Sequence, residues 1–229
     1  MILRALIVSL LFATPALSAD VEIVVDRSEK GIELFLSLPA ADAQNVLGAD
    51  LSQLDGLTTG VDFSVLQNGT WTQGDVLWGN VKTEVNGAPV TFEAMSMMVH
   101  PADQSLPFFD PIDALTAISV CGVPIPEENP AIEEMHLYAG FIAYPTDGTG
   151  TLRLDLGNLS LTQVTIRDFD GDVFQESTLT LDPGAILTLA APTHPGQMRT
   201  ILMGIVALSL VTSLGLGAAL WRQTKNAPA

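Results

Sequence analysis

The stretch VEIVVDRSEKGIELFLSL, residues 21–38, holds two apolar runs, 21–25 and 32–38, on either side of the charged segment 26–31. Short runs of β-branched and large apolar side chains flanking a polar turn predict a β-hairpin that opens a domain. Outward from it the period changes once. Val46, Leu47, Leu51 and Leu54 recur at helical spacing, with Asp42 before them and Gly56 after, so residues 39–54 predict one short amphipathic helix. Strand signals return at 60–67, 75–85 and 90–100, separated by Asn68-Gly69 and Asn86-Gly87, dipeptides that accept positive φ and close tight hairpins. Residues 101–130 carry six prolines and the step Asp110-Pro111, which predict a long, stiff connection with a short helical turn at 113–118. Further strands are expected at 136–144, 150–156, 160–168, 173–181 and 186–190. Together these predict an all-β fold, a β-sandwich-like domain of about eight strands with one short helix.

Both ends of the chain read differently. Arg4 precedes an apolar run at 5–12, followed by Pro15 and the small residues Ala16, Ser18 and Ala19, the three parts of a secretory signal peptide cut after Ala19. Residues 201–220 carry no charge, and as a helix they span about 30 Å, the thickness of a bilayer's hydrocarbon core. Arg199 stands before this run, and Trp221, Arg222 and Lys225 follow it as an interfacial anchor and basic flank. The expected organisation is a signal peptide at 1–19, an exported acidic domain at 20–191 and a juxtamembrane linker at 192–200. A transmembrane helix at 201–221 and a cytoplasmic tail at 222–229 complete it. This is a single-pass type I protein of the cell membrane, with its domain in the periplasm or outside the cell. Within the predicted span Ser209, Ser213 and Gly217 recur every fourth residue and offer a small-residue face for packing a second helix.

The net charge is −17, and all 26 acidic residues fall between positions 20 and 182, whereas Arg4, Arg222 and Lys225 lie outside the expected domain. A body this acidic is repelled by nucleic acid and by anionic lipid headgroups, which excludes nucleic acid as a partner. The single cysteine, Cys121, forbids an internal disulfide and reads from its neighbours Val120 and Gly122 as a small buried hydrophobe.

Three constellations carry possible chemistry. Asp168, Asp170 and Asp172 alternate like calcium ligands, but Gly171 falls between the second and third acids, where an EF-hand needs it after the third. They read as solvated acids at a hairpin turn centred on Asp170-Gly171. Met95, Met97, Met98, His100, Cys121, Met135 and His136 gather soft and borderline donors suited to copper, above all Cu(I). Strand alternation puts Met98 and His100 on one face and Met95 and Met97 on the other. The candidate metal set is therefore Met98, His100, Cys121 and His136, set against the reading of methionine as core filler. Catalysis has least support: the histidines are His100, His136 and His194, and no nucleophile elbow, zinc helix or phosphate-binding glycine loop occurs. The functional expectation is a non-enzymatic, membrane-tethered extracytoplasmic binding or assembly module, without a cofactor, that docks to another membrane or exported protein. A copper-handling domain is the alternative. A hydrolase built on Cys121 with His100 or His136 ranks third.

Overall fold

A computed structural model describes residues 20–28, 31–49, 62, 70–119, 130–145, 150–156, 162–182 and 184–193. The predicted signal peptide, most of the linker, the transmembrane segment with Ser209, Ser213 and Gly217, and both Cys121 and His194 lie outside these residues. No helix among the described residues is long and apolar enough to cross a membrane.

The chain is mostly β. In order it forms β1 (Asp20–Ser28), β2 (Gly31–Pro39), α1 (Ala43–Leu47), α2 (Thr70–Trp78), β3 (Lys82–Val85), β4 (Ala88–Pro89) and β5 (Glu93–Pro101). Then follow α3 (Pro111–Ser119), β6 (Met135–Ala143), β7 (Leu152–Asp155), β8 (Thr162–Asp170), β9 (Val173–Leu181) and β10 (Ile186–Leu189). The strands make a six-stranded sheet of order β5-β6-β2-β1-β8-β9 and a four-stranded sheet of order β10-β7-β3-β4. The opening hairpin forms as expected, paired from Glu22 opposite Ser37 to Ser28 opposite Gly31. Its first strand also pairs in parallel with β8, which the sequence pattern does not announce.

β2 explains why residues 32–38 are nearly all apolar. It is central in the larger sheet and covered on both faces, and such strands read as continuous hydrophobic runs. Leu34, Leu36 and Leu38 point into a core shared with Leu154 and Leu187 of the smaller sheet. Phe35 points the other way, beneath α3, with Val24, Tyr138, Ala114, Ala117 and Ile118. Each large apolar side chain so buried contributes roughly 1.5–3 kcal/mol.

Helix α3 lies close on the sheet because Gly140 has no side chain. A Cβ there would stand 2.5 Å from Ile118 Cδ1 and 3.2 Å from a Phe35 ring carbon. The Asn86-Gly87 turn closes β3 onto β4 with φ of 53° and 78°, the left-handed pair that this dipeptide tolerates.

Four expectations need correction. The described residues contain three α-helices rather than one. Residues 75–85 are not one strand: 75–78 belong to α2, whose Gln73, Gly74, Leu77 and Trp78 are buried at helical spacing. Alternating Val76 and Trp78 imitate a strand, but burial in pairs four residues apart, with Asp75 exposed between them, is the pattern of a helix packed on the sheet. The β8–β9 turn is Gly171-Asp172, closed by Asp170 opposite Val173, one residue later than read. Lastly, Asp168 is not a solvated turn acid but is buried with Arg27.

Candidate functional site

Three features stand out on and beside the larger sheet, the first two made by its strand pairing. The first is a histidine pair. His100 on β5 and His136 on β6 are directly opposite in register, and both flank the Tyr138 ring, at centroid separations of 5.4 and 5.0 Å. Met98 is opposite Tyr138 in the same ladder. His100 Nε2 bonds the Ala117 carbonyl of α3 at 3.1 Å, and His136 Nε2 bonds Ser37 Oγ at 2.8 Å. Burial lowers both imidazole pKa values, and that of His136 falls to about 4, with repulsion from His100 as the second cause.

Of the predicted metal set, the fold thus brings Met98, His100 and His136 together. Cys121 lies outside the described residues. Met97 and Met135 face the main core on the opposite side of the sheet, as core filler does. Met95 departs from the predicted alternation: the register shifts between Ala94 and Ser96, and Met95 packs with the α3 layer instead of sharing the face of Met97. Among the described residues no group of three or more His, Cys, Asp or Glu is placed to hold a metal.

The second feature is the ion pair of Arg27 and Asp168. Arg27 Nε and Nη2 donate to the two carboxylate oxygens at 2.7 and 2.9 Å, while Nη1 donates to the Gly150 carbonyl at 2.5 Å and Nη2 to that of Leu189 at 3.4 Å. One guanidinium thereby ties β1 and β8 to β10 of the smaller sheet. Burial pushes the Asp168 carboxyl above its ordinary value, against the opposing pull of Arg27. The pair sits in the wall of the fold and serves structure.

The third feature is the outer side of α3. Asp110 starts this helix: its Oδ1 accepts the N–H groups of Ile112 and Asp113, and Pro111 supplies a first-turn residue that needs no partner for an N–H. The Phe109 N–H returns a bond to Asp113 Oδ2. Just upstream, Arg167 donates to the Phe108 carbonyl, pairs with Glu22 and Glu176 at 2.9 and 2.8 Å, and lies 5.1 Å from the Phe109 ring centre. These contacts fix the start of α3. They leave Phe109 65 %, Ile112 76 % and Leu115 45 % exposed, at three-residue spacing.

A cavity of about 690 Å³ is lined by Asp75, Trp78, Lys82, Glu84, Phe92 and Glu93 among others, and its described lining includes no histidine, serine or cysteine. Sequence reasoning missed both the Arg27–Asp168 pair and the apolar row on α3. The first joins residues far apart in the chain. The second was partly visible, since Phe109 immediately precedes, and Ile112 and Leu115 follow, a capping Asp110-Pro111 step.

No protein-family model matches the chain, and none of the curated proteins matches it in sequence.

Proposed function

We propose that the chain is a membrane-tethered extracytoplasmic binding module, which docks the outer row of α3 against another membrane or exported protein. The observation that carries this reading is the exposure of Phe109, Ile112 and Leu115 on a helix start held rigid by Asp110 and Arg167. Soluble surfaces scatter large apolar side chains singly, and grouped ones mark contact sites. The row is flanked by Asp110 and Asp113 in a chain of net charge −17, so the complementary partner presents an apolar anchor beside basic side chains. The tether rests on the charge-free run at 201–220 and its basic flank.

A photoreactive residue replacing Ile112 in cells tests the docking. One defined adduct is expected, lost when Leu115→Asp is added. No adduct, or an equal one from a photoreactive residue at exposed Asp172, would sink the reading. For the tether, a reporter active only in the cytoplasm is expected to work when fused after Ala229 and to fail after Pro192.

The register pairing of His100 with His136 favours copper handling as a second reading. Both Nε2 atoms are engaged, so among the described residues of the set the Nδ1 atoms and the Met98 thioether are the donors left for Cu(I), beside Cys121, which lies outside them. Saturable Cu(I) binding at a hundredfold excess over Kd would stabilise the fold by about 2.7 kcal/mol. Absence of any such shift in the thermal midpoint, or its survival in the His100→Ala, His136→Ala double variant, removes this reading.

A further inference from the structure

The two edges of the six-stranded sheet are treated differently. β5 has an irregular register between Ala94 and Ser96 and ends in Pro101, and its Ala94 N–H is taken by Asp75 of α2 at 3.0 Å. Irregularities, prolines and covering helices are what stop an edge from pairing with another chain. Among the described residues β9 has none of them. Its nine residues run in unbroken register against β8, contain no proline, glycine or lysine, and leave Phe174 and Leu179 exposed. The closing pair Asp170 and Val173 sets the alternation of the ladder. It turns the backbone N–H and C=O groups of Phe174, Glu176, Thr178 and Thr180 away from β8.

We propose that β9 pairs antiparallel with β9 of a second copy of this chain, about a twofold axis at Ser177, joining the two six-stranded sheets into one. Charge and register select this occupant. In a strongly acidic chain, the one charged residue of β9 is Glu176, and its carboxylate is already held by Arg167 at 2.8 Å. A cationic partner strand therefore finds no free counter-charge on β9. Centred on Ser177, the outward residues of the two copies meet each other, Phe174 opposite Thr180 and Glu176 opposite Thr178, so each open backbone group gains a partner. Centring on Glu176 instead would set two carboxylates face to face. The cost falls at the strand ends, where Asp172 of each copy stands opposite Asp182 of the other, and association strengthens as salt screens them.

Full-length protein in detergent tests the pairing. Ser177→Cys puts one thiol from each copy on the axis, where directly opposed side chains lie within disulfide reach. Gln175→Cys puts its thiol opposite Leu179, out of reach of its counterpart. Oxidation is expected to double the mass of the Ser177→Cys chain on a denaturing gel. The Gln175→Cys chain and the parent, with Cys121 alone, are expected to stay single. Thr178→Pro deletes an outward N–H without touching the β8 ladder and is expected to abolish the cross-link. If circular dichroism shows that proline disturbs the fold, Thr178→Glu serves: it faces Glu176 of the other copy, and its loss of cross-linking is expected to be reversed by salt. No cross-link from Ser177→Cys, equal cross-linking from Gln175→Cys, or a cross-link that survives a folded Thr178 variant overturns the proposal.

Discussion

Arg27 and Asp168, 141 positions apart, form a two-point ion pair inside the protein, and the same guanidinium reaches the carbonyls of Gly150 and Leu189. Removing one partner leaves the other charge buried without compensation. Asp168→Asn is expected to cost about 3–5 kcal/mol in denaturant unfolding. Replacing both, with Arg27→Met and Asp168→Leu, is expected to recover much of that loss. A double variant less stable than Asp168→Asn would show that Arg27's bonds to the two carbonyls matter more than its charge.

The histidine pair predicts a pH dependence with a definite sign. The folded pKa of His136, about 4, lies below the ordinary imidazole value of about 6.5, so between these the unfolded chain binds more protons. The stability contributed by neutral His136 is fully present above pH ~6.5 and is lost as pH falls toward 4. Asp26, Glu33 and Asp168 are raised by burial and slope the opposite way as they titrate. The measurement is therefore a difference: unfolding midpoints of the parent and of His136→Gln across this range. The parent should lose more stability on acidification, and parallel curves would contradict the assignment.

Close packing of α3 at Gly140 sets a third expectation. Gly140→Ala drives a Cβ into Ile118 Cδ1 and the Phe35 ring and is expected to destabilise by about 1–3 kcal/mol. Adding Ile118→Val removes the nearest atom, so the double variant is expected to lose less than the sum of the two single losses. Strict additivity would mean that α3 shifts freely on the sheet.

Asp110 accepts two backbone N–H groups at the start of α3. Asp110→Ala is expected to cost about 0.5–2 kcal/mol and to speed amide exchange at Ile112 and Asp113 first. Unchanged protection at those two amides would separate the cap from the rigidity of the apolar row.

Legibility followed the range of the interactions. Local signals were readable: the hairpin from 21–38, the Asn86-Gly87 turn and the helical turn inside 113–118, extended by the structure to Pro111–Ser119. Each depends on residues within a few positions of one another. The short helix after β2 forms only over Ala43–Leu47, ending at Gly48 in the left-handed region and so inside the expected 39–54, while Leu51, Leu54 and Gly56 lie outside the described residues. The helix at 75–78 was misread, because Val76 and Trp78 satisfy a strand period and only packing against β5 exposes the contradiction. Met95 was misplaced because a single-residue shift in register exchanges the faces of a strand.

For the site the division is sharper. The sequence alone determined an acidic chain with apolar terminal runs, a β-rich body and a small set of soft donors, since composition and short-range periodicity carry that information. Only the tertiary structure decided which of these residues meet. Parallel pairing of β1 with β8 brings Arg27 and Asp168 together, and the β5–β6 register sets His100 opposite His136 while sending Met97 and Met135 to the other face. The physical reason is that strand pairing is non-local: a one-residue change of register reverses every side chain, and register is fixed by burial of whole faces rather than by any local motif.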